Sequence, residues 1–286
     1  MIGRILLAYD GSSSAKSALI ASCNLANSCD AELLGVFVED ERRFSRTTTT
    51  DRILGGLGMY PIEPRLHKPK EMIDELEKCD EDAERCSKEF YEGCTAHNVE
   101  GNFISSFGVA EDSLASLSRT VDMVVAGNSG LHSGLSAKED GHTIDALLSK
   151  TIVPVLIVPE NINLDGAILV AYDASPASDR VLRIAAEIAT LRKLIDMHLL
   201  TVDADKENAR RVQDIAVNYL EGCGFVVHTH LVEGKIPDSI ADCAAKINPS
   251  FIAMGAQRSG TLSEKIFGST TGAVLDAQPC AVLCIR

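Results

Sequence analysis

The chain carries an internal repeat. Residues 4–12 read Arg-Ile-Leu-Leu-Ala-Tyr-Asp-Gly-Ser, and residues 167–175 read Ala-Ile-Leu-Val-Ala-Tyr-Asp-Ala-Ser. Each copy leads into a helical pattern, and each half ends on a second echo, Pro-Val-Leu-Ile-Val-Pro at 154–159 and Cys-Ala-Val-Leu-Cys-Ile at 280–285. Self-similarity at a period near half the length indicates a tandem duplication, so every motif can be compared between two copies.

Each half alternates strand-like apolar runs with helical patterns. Five strands joined by helical crossovers predict a doubly wound, Rossmann-like α/β domain with a parallel five-stranded sheet. Runs such as Met123-Val-Val-Ala-Gly lack polar alternation, which is typical of strands buried on both faces. We therefore predict two such domains, 1–163 and 164–286. The predicted strands are 4–9, 32–38, 101–107, 121–127 and 153–158, then 167–172, 196–202, 225–232, 250–255 and 280–285.

Length and composition limit the classes of protein. The 286 residues are 45% hydrophobic, which is enough for two domains that each bury a full core. A formal net charge of −14 argues against nucleic acid and against an anionic membrane surface as partners. The chain has no run of about 18 apolar residues and enters its first strand directly, so we expect no membrane insertion, no signal peptide and a cytoplasmic protein.

The halves differ by one insertion. Asp10 and Gly127 are 117 positions apart, whereas the matching Asp173 and Gly255 are 82 apart, which leaves 35 extra residues in the first half. They fall after the second strand, in 39–72, where glycine, proline and threonine predict a long irregular segment. It is either a surface loop or a lid or interaction arm. The apolar anchors of such an arm would be Met59, Tyr60, Ile62 and Leu66.

A glycine-containing loop follows the fourth strand of each half. In the second half it begins at Gly255-Ala-Gln-Arg258 and reaches Gly268-Ser269-Thr270, with nine residues between Arg258 and Gly268. In the first half it begins at Gly127-Asn-Ser-Gly130 and reaches Gly141-His-Thr143. Small residues ahead of a helix let backbone N–H groups approach an anion, so both loops are candidates for binding phosphate.

These motifs together resemble the universal stress protein family. The resemblance rests on Ile-Leu-Val-Ala-Tyr-Asp at the first strand and on Gly-x-x-Gly, nine residues, then Gly-Ser after the fourth. It covers essentially the whole chain as two copies, apart from 39–72. The resemblance implies a pocket for ATP or AMP at the carboxyl ends of the first and fourth strands, where an open α/β sheet changes direction.

The family pattern also implies a role for each matching position. The aspartate after the first strand would face adenosine, and the valine at the end of the second would offer backbone groups to adenine. The glycine after the fourth strand would pass close to ribose and α-phosphate, and the Gly-Ser-Thr step would cap the phosphates, its hydroxyls contacting phosphate or Mg²⁺. The implied residues are Asp10, Val36, Gly127, Gly130, Gly141 and Thr143, then Ala171, Tyr172, Asp173, Val202, Gly255, Arg258, Gly268, Ser269 and Thr270.

The aspartates and the Gly-Ser-Thr step also have a structural interpretation, as turn residues and ordinary helix N-caps. Both copies depart from the family pattern. Arg258 stands where a second glycine is expected; it cannot cheaply adopt a glycine-only backbone, although its guanidinium could reach a phosphate. The first half has one extra residue before Gly141 and carries Lys138-Glu-Asp, whose carboxylates would repel phosphate. We therefore predict the second half as the nucleotide site.

Two other groups of residues could bind a metal, and for both we favour another interpretation. Cys79, Cys86 and Cys94 recur at seven and eight positions, about 10 Å apart along a helix, so packing is favoured over a shared metal. The nine cysteines as a whole suit small buried hydrophobes in a reducing compartment. His228 and His230 alternate on a strand, where a surface role is favoured over a metal site.

The function that follows is binding rather than catalysis. The resemblance implies a protein that binds ATP or AMP, with or without Mg²⁺, signals through a protein partner and hydrolyses ATP slowly at most. It further implies pairing through the last strands, 153–158 and 281–286, as an internal pseudo-dimer from which we expect a homo-oligomer to be built. The alternatives are an interaction scaffold whose pockets have decayed and, with less support, an adenylyl-transferring enzyme.

Overall fold

The computed structural model of the protein describes residues 2–40, 70–130, 137–256, 269–277 and 280–286. Most of the insertion, including its four apolar anchors, lies outside the described residues. The elements of the first half are β1 (Arg4–Ala8), α1 (Ser13–Cys29), β2 (Glu32–Asp40), α2 (Lys70–Ala96), β3 (Gly101–Gly108), α3 (Ala110–Leu117), β4 (Met123–Gly127), α4 (Ala137–Lys150) and β5 (Val155–Val158).

The second half repeats this order. Its elements are β6 (Ile168–Ala171), α5 (Pro176–Leu191), β7 (Asp196–Val202), α6 (Lys206–Gly222), β8 (Val226–Val232), α7 (Ile236–Ile247), β9 (Phe251–Gly255), α8 (Ser269–Ala277) and β10 (Ala281–Ile285). The predicted division between 163 and 164 falls in the connection from β5 to β6. No helix in the described ranges is long and apolar enough to cross a membrane.

All ten strands form one sheet, in the order β3-β2-β1-β4-β5-β10-β9-β6-β7-β8. Every neighbouring pair is parallel except β5 and β10, which run antiparallel with Leu156 opposite Leu283. Each half is therefore a doubly wound five-stranded parallel sheet, and the two last strands join the halves as an internal pseudo-dimer. The predicted fold class and the pairing of the last strands are confirmed.

Two layers of helices cover the sheet. Leu7 of β1 packs into the cluster formed with α1, α2, α5 and α6, whereas its neighbour Leu6 packs into the cluster formed with α3, α4, α7 and α8. Because successive strand residues point to opposite faces, central strands buried on both sides need unbroken apolar runs. Within α2 the three spaced cysteines are all buried in the first cluster, which confirms packing as their role.

Candidate functional site

The carboxyl ends of the first and fourth strands of each half lie side by side. In the first half β1 and β4 are parallel neighbours with Ala8 opposite Ala126, and in the second β6 and β9 are neighbours with Ala171 opposite Met254. These strand pairs are also the points where the strand order reverses in each half. Ligands of open α/β sheets bind in the crevice beyond such points, so both halves have a candidate site here.

An aspartate shapes the turn after each first strand. Asp10 Oδ1 accepts a hydrogen bond from the N–H of Ser12 at 3.0 Å, and Asp173 Oδ1 accepts one from the N–H of Ser175 at 2.9 Å. Ser12 and Ser175 are the N-caps of α1 and α5, and each hydroxyl accepts a backbone N–H of the first turn. The serines therefore cap the helices, while the aspartates fold the turns that precede them.

The carboxylate of Asp173 is favoured in its ionised form. Desolvation raises the pKa of this group, but hydrogen bonds from Ser175 and Ser178 outweigh it and hold the pKa below the usual value for aspartate. Asp173 is also exposed at the carboxyl edge of the sheet. It is therefore a charged hydrogen-bond acceptor that a ligand can reach.

A network of serines closes the first-half site. Ser14 Oγ donates to the carbonyl oxygen of Ser129 at 2.6 Å, and Ser12 Oγ donates to the same oxygen at 3.1 Å. The N–H of Ser129 in turn donates to Ser14 Oγ at 3.3 Å. A Cβ at Gly130 would lie 3.2 Å from Asp10 Oδ2, so the aspartate turn and the glycine loop are in close contact. The loop is thus tied to the start of α1 through groups that could otherwise hold an anion.

Gly127 and Gly255 are required by helix packing. A Cβ at Gly127 would lie 2.8 Å from the backbone nitrogen of Ala15, and a Cβ at Gly255 would lie 2.8 Å from the backbone nitrogen of Ser178. Real Cβ atoms essentially never approach backbone this closely, so in both halves only glycine lets the fourth strand pass the first turn of the helix. Contact of these glycines with a nucleotide remains a prediction.

The side chain of Tyr172 lies in the core rather than at the loop. It is 3% exposed, and its Oη donates to Asp179 Oδ1 on α5 at 2.7 Å. The matching Tyr9 is 2% exposed and donates to Glu89 Oε2 on α2 at 2.7 Å. Burial, followed by the hydrogen-bonded carboxylate, raises the pKa of both phenols. Both phenols are buried and bonded to a helix carboxylate, although to the first helix in one half and the second in the other, so only the backbone of Tyr172 remains for a ligand.

The prediction that Val36 ends the second strand and matches Val202 is wrong. β2 continues to Asp40, and Val36 lies level with Ala8, its carbonyl accepting the N–H of Tyr9. In the second half the residue in that position is Leu200, whose carbonyl accepts the N–H of Tyr172. Val202 is therefore matched by the half-buried Val38. Both segments contain Leu-x-Val, at 34–36 and 200–202, but the structure shifts one relative to the other by two residues. A shift of two keeps each side chain on the same face of the sheet.

The last helices of the two halves contain different parts of the motif. The described part of α8 spans Ser269–Ala277, and Thr270 within it is half-buried. In contrast α4 begins at Ala137, so Gly141 and Thr143 lie inside the helix rather than in a loop before it. A glycine within a helix is tolerated at a cost of about 1 kcal/mol, which is why Gly141 did not mark the start. Arg258 and Gly268 lie outside the described residues.

His228 and His230, for which the sequence favoured a surface role, belong to a larger cluster of histidines that the sequence did not show. His198 of β7 pairs with His228 of β8 in register, with ring centroids 4.8 Å apart, and its Nδ1 lies 3.0 Å from Nε2 of His230. His228 Nε2 lies 2.9 Å from Asp196 Oδ1. No metal-binding group of three or more His, Cys, Asp or Glu side chains occurs in the described part of the chain. Only strand pairing could have revealed His198, because it is 30 residues from His228.

Fold and site together define a tandem doubly wound α/β protein with a candidate site in each half, where the strand order reverses. The universal stress protein family model matches residues 1–159 and 166–286. The chain therefore belongs to the universal stress protein family and contains two copies of its domain.

Two known relatives match this chain over almost its whole length. A curated universal stress protein of Synechocystis sp. is 22% identical over 290 residues, which cover 99% of both chains. The crystal structure of a universal stress protein from Archaeoglobus fulgidus covers 99% of this chain and 98% of its own, with a TM-score of 0.74 and 20% identity. Another universal stress protein of that organism, in complex with dAMP, matches 43% of this chain and all of its own at 27% identity, but with a TM-score of 0.36. That likeness is too low to carry its ligand over to this chain.

Proposed function

We propose that the second half binds an adenine nucleotide, ATP or AMP, at the carboxyl ends of β6 and β9. The observation that carries this proposal is that β6 and β9 are neighbours where the strand order of the second half reverses, and that α8, described from Ser269 onwards, follows β9 in the chain. The first four N–H groups of a helix have no partner within it, and the helix dipole is positive at that end. A phosphate group can therefore be held there by backbone donors together with the hydroxyls of Ser269 and Thr270.

The other parts of the proposed site fit the rest of the nucleotide. The ionised and exposed Asp173 is an acceptor for hydroxyl or amino groups of adenosine. The backbone at Ala171 and Val202 lies at the carboxyl ends of β6 and β7. Arg258 would add a charge-assisted bond to phosphate in place of the missing glycine contact. Ser269 and Thr270 are also the residues that would hold Mg²⁺ if the nucleotide brings it.

We propose the first half as the weaker site or as no site. The serine network uses the groups at the start of α1, and α4 has already begun at Ala137 before Gly141 is reached. The N–H of Gly141, the fifth residue of that helix, is within the range of intrahelical bonds. We further propose that nucleotide occupancy of the second half is read by a protein partner, with hydrolysis slow at most.

Calorimetric titration of ATP and AMP tests the proposal. Gly268→Asp places bulk and negative charge at the phosphate position and should abolish most of the binding. Gly141→Asp is the matched control and should leave the affinity within a factor of two. The proposal of the second site is overturned if Gly141→Asp abolishes binding and Gly268→Asp does not.

Arg258→Gly tests the arginine separately. A hydrogen bond to a charged group contributes about 1.5–3 kcal/mol, so the loss should weaken ATP about ten- to a hundredfold and adenosine far less. The affinity for ATP should also lose part of its salt dependence. Tighter binding of ATP would mean that Arg258 obstructs the loop. That result would favour the second candidate function, an interaction scaffold with decayed pockets, for which the closed first-half loop is the supporting observation.

A further inference from the structure

A cavity of about 280 Å³ lies on the seam where the two halves join. Its lining includes Leu156 of β5 and Leu283 of β10, which are opposite each other in the antiparallel pair. Ala21 of α1 and Ile188 of α5 line it as well, so both halves contribute to its wall. A space of this size is large enough for a small organic molecule.

One end of this cavity carries an arginine. Arg192, at the end of α5, is half-buried and lines the cavity together with Ser250 and Leu164. Its Nη1 donates to Ser250 Oγ at 2.8 Å, and its Nη2 donates to the carbonyl oxygen of Leu164. These bonds use two of the five N–H donors of a guanidinium, which leaves three.

The positive charge of Arg192 is not neutralised by a direct ion pair. Within the ranges that the structure describes, no carboxylate oxygen lies within 4.0 Å of the guanidinium. Desolvation lowers the pKa of Arg192, and the carboxylate of Asp165, which also lines the cavity, opposes this only in part. A charge that is partly removed from water is costly unless it is paired, so an anion brought by a ligand would complete this environment.

We propose that the seam cavity binds a small amphipathic carboxylate of the medium-chain fatty acid class. The carboxylate lies against Arg192, where a planar guanidinium offers paired donors, and the alkyl chain lies on the apolar floor between Leu156 and Leu283. None of the residues that line this cavity belongs to the proposed nucleotide site, so the inference does not rest on nucleotide binding.

Calorimetry with the full chain and octanoate tests the inference, with octanol and acetate as probes of the two parts of the ligand. Octanoate should bind at least tenfold more tightly than either. Arg192→Gln should weaken octanoate about ten- to a hundredfold and bring it level with octanol, because a charge-assisted bond is lost. Arg183→Gln is the matched control, since Arg183 is an exposed arginine of the same helix. It should leave all three affinities unchanged.

A second variant locates the ligand. Ala21 is 8% exposed and lines the cavity, so Ala21→Leu should fill the space and abolish binding of both octanoate and octanol. A purely structural role of Arg192 would lower the thermal midpoint without changing the ratio of octanoate to octanol affinity. The inference is overturned if that ratio is the same in wild type and Arg192→Gln, or if Ala21→Leu folds and still binds octanoate at wild-type strength.

Discussion

Ala174 occupies the same left-handed backbone position in the second half that Gly11 occupies in the first, with φ of 57° and 78° respectively. Both follow the aspartate at the end of the first strand, so the turn into the helix is the same in the two copies. A side chain in this region costs about 1–2 kcal/mol, and the second copy therefore carries strain that the first avoids.

The two single substitutions Gly11→Ala and Ala174→Gly should have unequal effects on the free energy of unfolding. Gly11→Ala should lower it by about 1–2 kcal/mol, because it takes on the left-handed cost and places Cβ 3.1 Å from Cys86 Sγ. Ala174→Gly should change it by less than about 1 kcal/mol, in the stabilising direction, because relief of strain is partly offset by the flexibility of glycine in the unfolded chain. Urea unfolding measures both; equal losses in the two variants would contradict the shared turn.

Gly127→Ala and Gly255→Ala should each destabilise the protein. The added Cβ would meet the backbone of the adjacent helix at 2.8 Å in both halves, and such overpacking costs about 1–3 kcal/mol. Gly272→Ala in α8 is the control, because nothing lies within 4 Å of its added Cβ. It should stabilise by up to about 1 kcal/mol. A neutral result at Gly127 would show that the helix can move away from the strand.

Acid should destabilise the second half through its histidine cluster. Burial, and then the neighbouring histidines, lower the pKa of His198, while Asp196 opposes the shift; burial, His228 and Lys246 lower the pKa of His230. The unfolded chain takes up these protons near pH 6.5, whereas the folded protein resists them, so the free energy of unfolding falls as pH drops below about 6.5. The loss is at most about 1.4 kcal/mol per pH unit for each histidine that stays neutral.

Urea unfolding at pH 7.5 and pH 5.5 measures this effect. Replacement of the central histidine, His198→Gln, should reduce the difference in unfolding free energy between the two pH values. An equal difference in wild type and variant would place the pH dependence elsewhere in the molecule.

The halves should not be separable as monomers. Isolated 1–163 would expose β5, and isolated 164–286 would expose β10, each an apolar strand whose hydrogen-bonding edge is paired in the whole chain. Such an edge pairs with another copy, so each half should dimerise or aggregate in sedimentation experiments. Co-expression of the two halves should restore a one-to-one complex. Two stable monomers would contradict the claim that each half depends on the pairing of β5 with β10.

Most of the fold could be predicted from the sequence because apolar periodicity is a local signal. The runs 196–202 and 226–232 illustrate this, since the prediction placed them within one residue. Gly141 was assigned to the loop after the fourth strand and lies instead inside α4, because Lys138-Glu-Asp suits a helix as well as a loop and a glycine inside a helix costs little enough to be tolerated. Local patterns do not decide between such alternatives when the competing states differ by so little.

The candidate site was harder to predict because its contacts join distant residues. Ser129 lies in the motif Gly127-Asn-Ser-Gly130, but Ser14 is 115 positions away and belongs to no glycine motif, so nothing in the sequence connected the two serines. Val36 was matched to Val202 because the two segments share residue types, but the strand register matches Val36 to Leu200. Gly127 and Gly255 are required because a Cβ at either position would lie within 3 Å of the backbone of a helix. The spacing of residues in the sequence does not show this contact.

The reversal of strand direction between β5 and β10 has a consequence for how the two sites evolve. Carboxyl ends of the first five strands point to one edge of the sheet and those of the second five to the opposite edge. In a dimer of identical subunits, every substitution appears twice, so both edges must keep the same chemistry. One polypeptide with two edges escapes that constraint: Gly130 persists on one side while arginine replaces its counterpart on the other. The molecule can thus specialise each edge separately while inheriting both as a single gene product.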